Sequence, residues 1–248
     1  MAVVADWFRW LYEATGFNFT IFYDPYDARQ MLGGFLMTVQ LSVISILLSL
    51  VIGILGAWLQ GSNLRLVRGL VGGFITVFRN TPPLVQIFFF YFGIGTLLPG
   101  TENQWGMRQP MLSNVQWAII SLSLFAGAFN VEIFRSGIEA VPRTTVEAAE
   151  ALGYTRLGTY RHVVLPLALR VCLPALNNNL VNLLKTTTLA YAIAVPEMLY
   201  VAKQIWGSSQ NVLEMMLFLL FAYVGLVGIL VFIMHRWERA MRIPGYGR

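Results

Sequence analysis

The chain has 248 residues, 57% hydrophobic and 12% charged, with a formal net charge of +5. Globular domains carry about 25% charged residues, so this composition and its long apolar runs point away from a soluble globule and toward a polytopic helical membrane protein. The basic excess then reads as lysine and arginine held on the cytoplasmic side rather than a nucleic-acid surface, while one cysteine, Cys172, and two distant histidines, His162 and His235, offer neither an internal disulfide nor a metal cluster.

In chain order, MAVVADWFRWLYEATG opens without the basic n-region of a cleaved leader. Residues 1–30 are assigned to an outer segment. Its Trp7, Phe8, Trp10 and Tyr12 suit an aromatic belt at the membrane surface or the face of a binding protein. A membrane domain is expected over 31–240. Span one, 35–59, carries no charge and is long enough to cross with some tilt. Leu66, Leu70, Phe74 and Val77 then recur at helical spacing, which suggests an oblique helix over 66–79. In FRNTPPLVQIFFFYFGIGTLLP, Thr81 fits an N-cap and Pro82 a first-turn proline, with span two running to about Leu98. A polar loop separates it from span three, about 116–138.

A polar cassette follows, VEAAEALGYTRLGTYRHVVLP, within a loop over 144–166. It reads as two short helices joined at a glycine. Thr144 and Glu147 have capping-box spacing, and Gly153 sits where a left-handed C-terminal cap is expected. Thr155 suits the cap of a second helix with Leu157, Tyr160 and Val164 on one side, limited by Pro166. Helices below about 12–15 residues are marginal alone, so the first needs a partner surface. Ala148, Ala149 and Leu152 form a small ridge for it, flanked by Glu147 and Glu150. The spacing fits equally well with a plain loop lying on its own protein.

Span four is expected from about Pro166 to about Thr188. The next stretch, AYAIAVPEMLYVAKQIW, is interrupted by Pro196 and Glu197, so a bent or re-entrant piece and a short helix are expected. Span five is 212–237, followed by a basic tail over 241–248. With the cassette inside, five spans put the N-terminus outside and the C-terminus in the cytoplasm. Twelve basic residues then fall inside, among them Arg65, Arg68, Arg143 and Arg161. Four fall outside, Arg9, Arg29, Arg108 and Lys203, and Lys185 is embedded. A six-span chain would divide the cassette from the basic tail and lose this bias.

Four ionisable residues lie in or near the spans: Arg79, Glu132, Arg135 and Lys185. Each costs about 2.5–3.5 kcal/mol at a helix centre and so needs a partner or water. Glu132 and Arg135 are three apart and suit a structural charge pair. Arg79 suits snorkelling to headgroups.

Glu147, Ala148, Ala149, Gly153, Val163, Leu165 and Pro166 together match the loop signature of membrane subunits of bacterial ABC importers, and the chain resembles that family. Further segments, VFRNTPPLVQIFFFYFG (77–93), EIFRSGIEAVP (132–142) and NNNLVNLLKTTTLAYAI (177–193), are similar to its polar amino acid branch, the histidine, glutamate and glutamine permeases. The likeness spans roughly residues 31–245, with Thr144 and Thr145 in place of the usual Gly-Gln. It implies an all-α type I importer permease fold of about five transmembrane helices. Glu147, Ala148, Ala149, Leu152 and Gly153 would form a coupling helix docked on an ABC ATPase dimer.

The resemblance also implies a second permease chain, identical or related, and a periplasmic amino-acid-binding protein that carries most of the selection. Two chains are needed, since five helices cannot both surround a path and gate its two ends. ATP and Mg belong on the ATPase, because this chain has no GxxxxGK[ST] stretch and no catalytic set. Lys185 with Thr186 and Thr187 near a helix break suits an amino acid's α-carboxylate. The alternative is an assembly lysine paired with Glu132 or Glu197. Members that move basic amino acids would carry acids beside this lysine, but Asn179 and Thr186 stand there. An acidic or neutral polar L-amino acid is therefore expected: glutamate, aspartate or glutamine. A secondary transporter or channel without an ATPase is the other reading of the whole chain, and an intramembrane enzyme lacks credible catalytic residues.

Overall fold

The computed structural model describes residues 2–102 and 108–241. The tail expected over 241–248, including Arg242 and Arg248, lies outside the described residues except for Met241. In chain order the helices are α1 (Ala2–Thr15), α2 (Pro25–Gln60), α3 (Arg65–Asn80), α4 (Pro83–Leu97), α5 (Asn114–Glu139), α6 (Arg143–Ala151), α7 (Arg156–Ile193), α8 (Met198–Ser209) and α9 (Val212–Ala240). Between α4 and α5, Thr101–Glu102 and Arg108–Gln109 pair antiparallel. By length and composition α2, α5, α7 and α9 are able to cross a membrane, and α4 is a shorter apolar helix at the second expected span. The helical class and these positions agree with the sequence.

Boundaries moved for local reasons. The Thr81 hydroxyl donates to Val77 O at the end of α3, and α4 begins at Pro83 rather than Pro82; the missing N–H of Pro83 costs nothing in a first turn. The second cassette helix is not limited by Pro166 but runs on as α7. A wide turn over Tyr160–Val164, in which Leu165 N–H reaches Tyr160 O five residues back, absorbs the hydrogen bond that Pro166 cannot make. As expected, α7 ends in a tightened turn, Thr187–Ile193, and Ala194 has φ +57°. Glu197 then caps α8.

The chain forms two compact units. One comprises residues 1–44, 84–121 and 185–228, and the other 45–83, 122–184 and 229–248. In the first, Met198, Val201, Ala202 and Ile205 of α8 pack with Met31 and with Met215 and Leu219. Its polar centre is the wholly buried Glu197, which accepts from Leu199 N–H (2.9 Å), Tyr200 N–H (2.8 Å) and the Tyr223 hydroxyl (3.1 Å). Beside it Thr38 accepts from Met198 N–H at 3.0 Å, and Tyr223 also meets the Thr38 and Thr187 side chains. These bonds hold the end of α7, the start of α8, α2 and α9 together. Three donors offset much of the cost of burying a carboxylate there.

In the second unit α2 and α5 approach so closely that a Cβ on Gly56 would lie 2.3 Å from Val131, and one on Gly127 2.6 Å from Ile52. Small residues at a helix contact are the usual membrane solution, because apolar side chains gain little from leaving lipid. Across the same layer Asn179 donates to Asn130 Oδ1 (2.8 Å) and Ala126 O (3.0 Å), and Asn130 donates to Ser49 Oγ (3.1 Å). Leu173, Leu176, Leu180 and Phe134 form the apolar core around it.

Candidate functional site

The segment 143–154 has a ridge with an inner and an outer side. Helix α6 starts at Arg143, with Pro142 as N-cap and no side-chain cap, so the capping box expected from Thr144 and Glu147 is not formed. Thr144 is already inside the first turn, where it has no cap to make. The other end matches the sequence. Gly153 has φ +88°, Gly153 N–H donates to Glu150 O (2.9 Å) and Tyr154 N–H to Ala149 O (3.2 Å), which together close a Schellman motif. Thr155 caps the next helix by accepting from Gly158 N–H at 3.2 Å.

Ala149 is buried, on the same side as Val146, which packs on Val141, Val164 and Ala168. The ridge is therefore not Ala148, Ala149 and Leu152 together, because three-residue spacing from Val146 turns Ala149 to the chain's own core. Glu147, Ala148, Glu150 and Gly153 are exposed, and Leu152 is 80% exposed.

Helix α7 carries the second feature. Val171, Pro174, Ala175, Asn178, Asn182 and Lys185 are exposed and follow a spacing of three and four, so they form one stripe. Pro174 sits on that stripe. Asn179 faces the other way, buried in the bonds with Asn130, and Thr187 is fully buried beside Tyr223. Of the four residues picked from sequence, Lys185 is exposed and Thr186 half-buried, while Asn179 and Thr187 are buried. Sequence reasoning missed Asn178 and Asn182, although their spacing to Lys185 is legible.

Lys185 has no ion-pair partner among the described residues. Glu132 and Glu197, its suggested partners, are engaged by other groups. Glu132 binds Arg135 at 3.0 Å and Arg79 at 3.8 Å, and Arg135 also binds Glu139 at 2.7 Å. The expected pair is thus part of a chain of four charges. Arg79, expected to snorkel, instead joins it and lies 5.1 Å from the centre of the Phe129 ring.

Residues 49–243 match the model of the family described as "Binding-protein-dependent transport system inner membrane component". The Glutamate/aspartate import permease protein GltJ of Escherichia coli (strain K12) is 31% identical over 86% of this chain and 87% of its own. The Histidine/lysine/arginine/ornithine transport system permease protein HisQ of the same organism is 32% identical over 72% of this chain and 78% of its own. Among solved structures, a chain from "Crystal structure of an amino acid ABC transporter with histidines" aligns with TM-score 0.74 and 25% identity, covering 86% of this chain and 94% of that one. The chain therefore belongs to the binding-protein-dependent transport system inner membrane component family, as a permease subunit of an amino-acid ABC importer.

Proposed function

We propose that this subunit imports an acidic or neutral polar L-amino acid, with glutamate, aspartate and glutamine as the candidates. It lies in the bacterial inner membrane with its N-terminus outside and its C-terminus in the cytoplasm. It works with a second permease chain, an ABC ATPase dimer that holds ATP and Mg, and a periplasmic amino-acid-binding protein. The observation that carries the substrate class is Lys185, exposed at the end of a stripe on α7 that bears no acid from residue 171 to residue 188. A carboxylate is attracted there and a cationic side chain repelled. Asn178 and Asn182 supply further polar groups along the same face. Such a face is costly against lipid and fits a water-filled path shared with a second chain. The name of GltJ favours this class, and that of HisQ the opposite one.

The exposed ridge of Glu147, Ala148, Leu152 and Gly153 couples to the ATPase, with Ala149 anchoring it from beneath. Alternating access follows from rigid-body motion of the two permease chains when the ATPase closes.

The substrate assignment is tested in proteoliposomes holding the complete transporter and its binding protein. Lys185→Met should weaken apparent glutamate affinity by roughly ten- to a hundred-fold, the worth of one charged hydrogen bond, with insertion unchanged. Unaltered glutamate uptake, or wild-type preference for lysine or arginine, would refute it.

A further inference from the structure

Two cavities in the second unit adjoin, sharing four lining residues, and only one of them has charged side chains in its wall. One, of about 350 Å³, is walled by Ile54, Leu55, Phe134, Leu165, Leu169 and Cys172, with no charged residue among its lining. The other, of about 650 Å³, is edged by Gln60, Ser62, Arg135 and Glu139. Ala57, Trp58, Ile138 and Tyr160 line both. Both volumes fall in the range of ligand sites, about 300–1,000 Å³.

The division follows the chain. The apolar run of α2 borders both cavities, and the more polar residues 60–62, at and just after its end, border only the larger one. That is the order of acyl chain and headgroup at a membrane boundary. Ile54, Leu55 and Trp58 are each more than half exposed, so the apolar cavity opens outward rather than into the core. The bilayer is the solvent such a wall meets.

The polar end carries both signs of charge. Arg135 donates through Nε and one N–H of Nη2 to Glu132, and through one N–H of Nη1 to Glu139. A guanidinium has five N–H groups, which leaves two for a further acceptor. Glu139 is 62% exposed, and its Oε2 is open for a donor. With Arg79 and Glu132 the cluster sums to zero charge, which suits a headgroup with one charge of each sign over a net anion.

We propose that the two adjoining cavities bind one phospholipid whose headgroup ends in a primary ammonium. An acyl chain fills the apolar cavity. The phosphate accepts from Arg135, and the ammonium donates to Glu139 with Ser62 and Gln60 beside it.

The test titrates the delipidated complete transporter in detergent with dioleoyl phosphatidylethanolamine, phosphatidylcholine and phosphatidylglycerol, and counts retained lipid by native mass spectrometry. One saturable site per chain is expected, with the ethanolamine lipid roughly ten-fold tighter than the choline lipid, since a quaternary nitrogen has no N–H to give. Glu139→Gln should level that ratio, and Leu165→Trp, which fills the apolar cavity, should remove the site for all three lipids. If Leu165→Trp does not assemble, Glu139→Gln decides alone. Equal binding of ethanolamine and choline lipids to wild type, tighter phosphatidylglycerol, or a ratio unmoved by Glu139→Gln would overturn the proposal.

Discussion

Asn179 and Lys185 lie on one helix and do different work. Asn179 turns inward to Asn130 and Ala126, and Lys185 ends the outward stripe. Asn179→Ala removes two hydrogen bonds and leaves Asn130 short of a donor inside the protein, a loss of about 1–3 kcal/mol. A lower thermal midpoint with unchanged substrate preference is expected, read by thermal unfolding in nanodiscs and by competition uptake. A change of preference without a change of midpoint would return Asn179 to the substrate path. Asn177, Asn178 and Asn179 are consecutive, each turned about 100° from the last. Which of them faces inward depends on Asn130, on another helix, and no local pattern in the sequence reveals that. Gly153 is the opposite case, because a Schellman motif is built within six residues and its glycine is visible in the sequence.

At the scale of helices, the apolar runs marked the spans because a membrane helix must bury its own backbone groups and keep charge out. Their ends were less legible. Pro166 reads as a helix start, yet α7 passes it by widening a turn just before it, a backbone adjustment with no residue signature. Glu197 reads as an interruption and proves to be the cap and polar centre of α8, with Tyr223 from α9 as a partner distant in sequence. The contact of α2 with α5 was also hidden, since Gly56 gains meaning only from Val131 opposite. Gly56→Val should overpack that contact and cost about 1–3 kcal/mol. Gly69→Val on α3, where no described residue lies within 4 Å of an added Cβ, should cost only a few tenths of that. Thermal unfolding of the two variants side by side checks the difference, and equal midpoints would contradict the packing described here.

For the molecule as a whole, the proposed function gives the two open features different partners, a second permease chain for the stripe of α7 and the ATPase for the ridge of α6. Buried on one side through Val146 and Ala149 and open on the other at Leu152, the ridge is tied to α7 by the short capped turn at Thr155. The most direct test is ATP hydrolysis by the reconstituted transporter, with and without loaded binding protein, for wild type and Leu152→Asp. Leu152 is open to solvent, so the change should leave the thermal midpoint of the isolated permease in place. Leu152→Asp should lose both stimulation by the loaded binding protein and uptake. Full stimulation with normal uptake in that variant would contradict the proposed coupling.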